Sequence, residues 1–403
     1  MKIKTYIQLS LVVLTLACIS SCKKDFDEIN KNPVGFTSAS DGSLFNACIK
    51  SLFSGYNEQL YVNVSVIMKE TQQGALPIVK WNNYSIGTEE IWSNYYSTLP
   101  NIRELESRLV AKDTLAGDIR NIMSMVKIIK AFKTFKVTDL FGDIPYSAAG
   151  MGFQSSSAVH PAFDSQQNIY KSLLSDLNWA ANSISSAEAD TSTEVFRNFR
   201  TFDKLFLGDV SMWRKFANSL SLRYAMRMVN KEPVLAASII KDIIDNAKPT
   251  FGVTQFGQLD MTPSTNCAML FPASVGYSNE SKGWSFNQSV HMRMGTTMWH
   301  EMSANDSLNG SGIYDPRVYY FFDTNINNKW AAYPNNPPAG MTPDGGDPYN
   351  YQRDAFYNLK GAGCMYSPFN YFLVRDLDYS PDIMITGAEV LFLRAEAYQR
   401  GIG

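Results

Sequence analysis

A mostly α-helical fold interrupted by one long, loop-rich, aromatic-rich stretch is what this chain predicts, on three observations. Apolar residues recur every three to four positions through much of residues 119–247, no strand-period alternation of comparable strength competes, and from about Asp260 to Ser380 the period fades. In that last stretch Gly, Pro, Asn and Ser become frequent while aromatics rise above the chain average of 13%. A disordered linker would be poor in aromatics, so the stretch is read as ordered loop.

Taken in order, Lys2 and Lys4 precede an apolar run from Ile7 to Cys18, and Ile19-Ser20-Ser21-Cys22 follows. The run is too short to cross a bilayer and has the form of a secretory signal over residues 1–21. A cysteine directly behind small residues marks a bacterial lipoprotein whose lipidation site is Cys22, with an ordinary secretory signal or a retained anchor as the alternatives. Several acyl chains hold where one does not, since each buried methylene contributes about 0.8 kcal/mol. Residues 22–40 then read as an acylated polar tether. No later stretch offers the length of apolar sequence a membrane span needs.

Ile119, Ile122, Val126, Ile129 and Phe132 share one face of a helix ending near Phe135. Phe163 to Ile184 repeats the pattern through Ile169, Leu173, Leu177 and Ala180, with Asp164 as its N-cap. A third stripe runs from Asp209 to Val229 through Trp213, Phe216, Leu220, Tyr224 and Met228, which makes Trp213 core, and Val234 to Ala247 forms a fourth. Helix returns at the end, where Thr386-Gly387-Ala388-Glu389 has capping-box spacing ahead of Val390 to Tyr398. Lys127, Lys130, Lys133 and Lys136 fall at helical spacing and read as a solvated basic face.

The net charge of −2 argues against a nucleic-acid partner, because phosphate binding needs a concentrated positive field. Cys48, Cys267 and Cys364 are too dispersed for a metal knuckle; a Cys267–Cys364 disulfide and buried thiols both remain open. His160, His291 and His300 lack metal-ligand spacing, and His300-Glu301 fails as a zincin helix because Ala304 stands where the second histidine belongs. Asp323, Asn325 and Asn327 match the first EF-hand ligand positions, yet Asn328 and Pro334 replace the required glycine and glutamate. Gly310-Ser311-Gly312 reads as a turn, and Asp344 and Asp347 as solvated loop charges rather than a glycosidase pair. No catalytic residue, metal or cofactor is expected.

Several segments together resemble SusD/RagB-type outer-membrane lipoproteins. They are Asp139-Leu140-Phe141-Gly142-Asp143-Ile144-Pro145-Tyr146, Pro161-Ala162-Phe163-Asp164 with Ile169-Tyr170 and Asp176-Leu177, Trp213 to Leu220 with Leu222-Arg223, Asp315-Pro316-Arg317, and Ala388-Glu389-Val390 with Arg394 to Ala397. The resemblance implies a SusD-like domain over 41–403. Tetratricopeptide-like helix pairs would form a scaffold at about 41–259 and 381–403, and 260–380 a loop-rich ligand face. It implies a non-enzyme at the cell surface, in the outer membrane, which binds oligosaccharide, or in some members peptide, and feeds a SusC-like TonB-dependent transporter. A lipid-anchored glycoside hydrolase is the rival from another class. Members of the family usually continue beyond the Ala-Glu-Ala helix, so the stop at Gly403 is read as that of a truncated gene or fragment. The helix from Thr386 would then show an apolar face.

Sugar binding needs flat aromatic faces for the apolar side of a pyranose and amides for its hydroxyls. Lys80-Trp81-Asn82-Asn83-Tyr84 supplies both, so Trp81, Asn83 and Tyr84 are the first candidates; the other reading is that Trp81 closes a core edge. Trp284, Asn287 and Trp299 come second, and Trp330 with Tyr333 third. Phe141, Gly142, Asp143 and Pro145 read as a structural turn.

Overall fold

Where apolar side chains repeat at helical spacing, long helices form and pack on their sequence neighbours. The computed structural model describes residues 39–76, 84–112, 117–152, 160–185, 199–254, 258–260, 262, 265–276, 286, 292–339, 341, 364–374 and 381–402. Residues 41–403 make one unit and 1–40 another. The scaffold opens with α1 (Asp41–Lys50), the wide π-type helix α2 (Glu58–Met68) and α3 (Tyr84–Val110). It continues through α4 (Gly117–Phe141), α5 (Gln166–Ser183), α6 (Val210–Met228) and α7 (Pro233–Asp245). From α3 to α7 each helix packs on the next, as in tetratricopeptide-like pairs.

The loop-rich region carries the one-turn helices α8 (Thr296–His300), α9 (Val318–Phe321) and α10 (Tyr371–Val374). Short antiparallel pairs fasten it. β1 (Gly74–Ala75) pairs with β5 (Arg293–Met294), and β4 (Cys267–Leu270) pairs with β6 (Asp382–Thr386). Within the scaffold β2 (Ile144–Pro145) pairs with β3 (Phe163–Asp164). The last helix, α11 (Gly387–Gln399), returns to pack on α6.

Two cores result. The scaffold core gathers the helical stripes around Trp213, which is fully buried and whose indole N–H donates to Asp203 Oδ2 at 2.8 Å. The second core lies mainly in the loop-rich region and joins Leu60, Tyr61 and Val64 of α2 to Met292, Met294, Trp299, Val318 and Trp330. Gly87 on α3 makes the α2 contact possible, since a Cβ there would come 2.7 Å from Val62 and 2.8 Å from the Asn57 carbonyl oxygen.

Three local expectations change. The first helix of the stripe analysis runs on to Phe141 rather than stopping near Phe135. The N-cap of α5 is Ser165, whose hydroxyl accepts from the Asn168 N–H, while Asp164 instead accepts from the Tyr146 and Ser147 N–H groups. The lysine stripe on α4 is no solvated face. Lys130 is buried and pairs with Glu106 of α3 at 2.6 Å and Asp176 of α5 at 2.9 Å. Lys127 joins Asp176 at 2.5 Å, and Lys136 pairs with the buried Glu58. Lys133 donates to the Ser51 carbonyl and to Asn94 Oδ1, each at 2.7 Å. The long, flexible stems let the ammonium groups reach acids on neighbouring helices that helical spacing alone cannot reveal.

Candidate functional site

A cleft of about 790 Å³ opens among the described residues between α2, α4, α6, β6 and α11. Its size suits a small-molecule site, but its charges are already answered. Arg223 grips Glu389 with Nε at 2.5 Å and Nη2 at 2.6 Å, and its Nη2 also donates to the Met384 carbonyl at 2.7 Å. Arg227 lies 3.1 Å from Asp139, and Glu58 holds Lys136. The Asp382 carboxylate accepts from the Ser54 N–H at 2.6 Å and from Gln59 Nε2 at 3.4 Å.

Burial raises the Asp139 carboxyl above its ordinary value, against the lowering pull of Tyr170 and Arg227, and burial pushes the Tyr224 hydroxyl up to about 12. General acid–base catalysis wants a pair of groups poised near the working pH and within reach of substrate. These groups instead lock helices together.

The signature segments prove to be joints of the fold. The Thr138 hydroxyl donates to the Gly142 carbonyl at 2.6 Å, Gly142 adopts φ +76°, and the Asp143 carboxylate caps α5 by accepting from the Gln166 N–H at 2.8 Å. Arg223 and Glu389 come from two signature segments 166 positions apart and form the bidentate pair that docks α11 on α6. Asp315 and Arg317 pair with each other at 2.6 Å, which keeps the Asp315 carboxyl below its ordinary range.

Of the residues singled out for sugar binding, Tyr84 opens α3 and is exposed. Trp81, Asn83, Trp284 and Asn287 lie outside the described residues, as do Cys22, His291, Asp344 and Asp347. Trp299, Trp330 and Tyr333 are corrected by their burial: they retain only 3%, 7% and 1% of their surface. The rings of Trp299 and Trp330 stack with centroids 6.0 Å apart, Tyr319 meets Trp330 edge-on at 5.6 Å, and Tyr366 does the same to Tyr333 at 4.8 Å. An aromatic-rich loop region needs its own core, and these rings build it instead of offering open faces.

The Asn325 side chain, weighed as a calcium ligand, accepts from the Asn327 and Lys329 N–H groups and donates to the Met365 carbonyl, so it closes a turn. Gly310, at φ +80°, likewise belongs to a turn. Cys48 and Cys364 are buried, and the Cys364 thiol donates to the Tyr366 carbonyl at 3.4 Å. Burial pushes the Cys48 thiol up to about 12 and that of Cys267 upward too. Among the described residues of this region the exposed rings are Tyr314, Tyr319, Tyr320 and Phe372, which composition alone did not single out.

A family model described as SusD-like, "Starch-binding associating with outer membrane", matches residues 33–403. Among solved structures, a chitin-binding protein is 19% identical, with a TM-score of 0.61 over 90% of this chain and 71% of its own. A SusD homologue from Parabacteroides distasonis is 18% identical, with a TM-score of 0.63 over 91% of this chain and 69% of its own. A chitin-binding SusD homologue from Flavobacterium johnsoniae is 20% identical, with a TM-score of 0.59 over 89% and 65%. The chain thus spans roughly two thirds of the length of these proteins, and at such identities the likeness is one of fold. No curated protein matches the chain in sequence.

Proposed function

The chain belongs to the SusD-like family, and from that premise we propose that it is a lipid-anchored glycan-binding protein of the outer surface that hands oligosaccharide to a SusC-like TonB-dependent transporter. The family match from residue 33 to 403 carries the reading, and it is a family of binding proteins rather than enzymes. Two further observations support it. An apolar run of signal-peptide form and Cys22 precede the matched region, and the cleft of about 790 Å³ spends its charges on internal pairs.

The first glycan contact is assigned to Trp81, Asn83 and Tyr84, with Trp284 and Asn287 as a second patch. Tyr84, exposed at the first position of α3, fits that part. Trp299, Trp330 and Tyr333 act behind the ligand face, holding its loops. Calorimetric titration with malto- and chito-oligosaccharides tests the reading, chitin being what two of the similar folds are described as binding. Trp81→Ala is expected to weaken binding about tenfold, the loss of one stacking platform; unchanged affinity sinks that assignment, and no binding by the parent protein sinks the function. Cys22→Ala is expected to keep affinity in solution and to lower uptake by cells.

A further inference from the structure

Several described rings of the loop-rich region, Trp299, Phe322, Trp330 and Phe369 among them, are buried in its core, whereas Tyr320 and Phe372 keep an exposed face. Val318 and Phe322, at the start and just past the end of α9, are buried to 0% and 2% exposure, whereas Tyr320 between them keeps 60% and Phe372 on α10 keeps 41%. Leaving large apolar faces in water forgoes about 25 cal/mol for each Å² that might have been buried.

The backbone sets the two rings at one place. Phe322 bridges Phe369 in antiparallel fashion, and the Phe321 carbonyl accepts the Asn370 N–H at 2.9 Å. Tyr320 and Phe372, with Asn370 and Leu373, line a cavity of about 290 Å³. Asn370 is held in place there, because its Oδ1 accepts from the Phe372 N–H at 3.0 Å. Its Nδ2 keeps two donors that no described residue uses.

The chemistry of that lining is specific in three respects. None of these four described side chains is charged. Aromatic faces lie beside an amide donor and a phenol, which suits a ligand with one apolar face and a rim of hydroxyls. The volume stands at the lower end of small-molecule sites, enough for a single ring and not for a long chain.

We propose that Tyr320, Asn370 and Phe372 form a separate saccharide subsite, which takes one neutral pyranose of a longer oligosaccharide on the face of Tyr320 while Asn370 Nδ2 donates to a ring hydroxyl. The subsite rests on the glycan-binding reading and adds a contact far along the chain from Trp81. Two weak, separated contacts on one glycan raise the affinity for long chains over short ones through effective concentration.

The test is calorimetry on the full chain with chitohexaose and maltoheptaose as probes, comparing the parent with Tyr320→Ala, Phe372→Ala and Tyr320→Phe. For the probe that binds, both alanine variants are expected to lose about five- to tenfold in affinity at an unchanged melting temperature, while Tyr320→Phe keeps most of it. Full affinity in the alanine variants, with the parent still binding, overturns the subsite and leaves the glycan reading standing. A parent that binds neither probe overturns both. Should Phe372→Ala unfold, Tyr320, the more exposed ring, decides the matter alone.

Discussion

The helical scaffold and the loop-rich region both close around aromatic rings, yet buried ion pairs such as Lys130–Glu106 are described between scaffold helices and not within the described loops. In the scaffold, Lys130 and Lys133 lie inside among acids, amides and carbonyls drawn from neighbouring helices and from the α1–α2 turn. Among the described residues, the pairs made within the loop-rich region reach solvent, with the Arg317 side chain 69% exposed and Asp306 75% exposed, although Arg293 of β5 is itself fully buried. A buried pair is costly to form and costlier to break, because removing one partner strands the other charge in a poor solvent. The difference teaches that the scaffold is held in register by polar groups that tolerate one arrangement, while the loops are held by a few large rings.

The sharpest way to break that comparison is to remove a scaffold charge. Lys130→Ala leaves Glu106 with Arg103 alone and Asp176 with Lys127 alone, and is expected to cost about 3 kcal/mol in urea unfolding, the low end for breaking a buried pair. The matching change outside, Arg317→Ala, is expected to leave the urea midpoint where it was, since a solvated pair adds little. Equal effects from the two would dissolve the distinction.

Comparable in size is the removal of a ring that holds the loops. Trp330→Ala takes away the partner of Trp299 and is expected to cost about 3 kcal/mol, the lower end for a large-to-small aromatic change. The locality of the effect matters more than its size. Hydrogen exchange should quicken at amides such as those of Tyr333, Ser367 and Asp323 while α4 to α6 keep their protection. Loss of protection throughout would mean one core rather than two.

Much of the scaffold was legible because period is a property of the chain itself: Ile169, Leu173 and Leu177 are buried where their spacing put them. The Thr386 cap and the core place of Trp213 were legible for the same reason. The fate of the lysine stripe was not, because Glu106 and Asp176 approach it only after α3 and α5 have packed. Nor was the cap of α5, since Asp164 and Ser165 are equally able and the pairing of β2 with β3 decides between them. In the loop-rich region composition told how many rings there were and not which way they faced. Trp299 and Trp330 were therefore expected to meet ligand and went inside, while Tyr320 was passed over and came out.

Lys133 gives the comparison a pH axis. Burial, with Lys136 close by, lowers its pKa from 10.5 to about 7, although Glu58 and Cys48 pull the other way. The folded pKa is thus depressed below that of the unfolded chain, so between these values the unfolded state binds more protons and stability rises with pH. The Cys48 thiol, shifted from 9.0 to about 12, begins to oppose the trend above about 9. The clean window is pH 7 to 9. There the urea midpoint of the parent is expected to climb relative to that of Lys133→Met, and parallel curves would show that the amine is charged in the fold. Arg317→Ala leaves Lys133 untouched, so the same series on that variant should track the parent.

The smallest effect falls at the seam between the two regions. β6 belongs to the strand pair that fastens the loops, and α11 follows it without a break, so Thr386 ends one and caps the other. Its hydroxyl accepts from the Glu389 N–H at 3.2 Å, and the Glu389 side chain is held by Arg223 of α6. Thr386→Ala removes the cap alone and is expected to cost about 1 kcal/mol. Arg223 would keep α11 docked through Glu389, so the exchange should quicken only in the first turn of α11. If β4 and β6 loosened as well, cap and strand pair would form one cooperative element, and the boundary between scaffold and loops would have to move to include α11 with the loops.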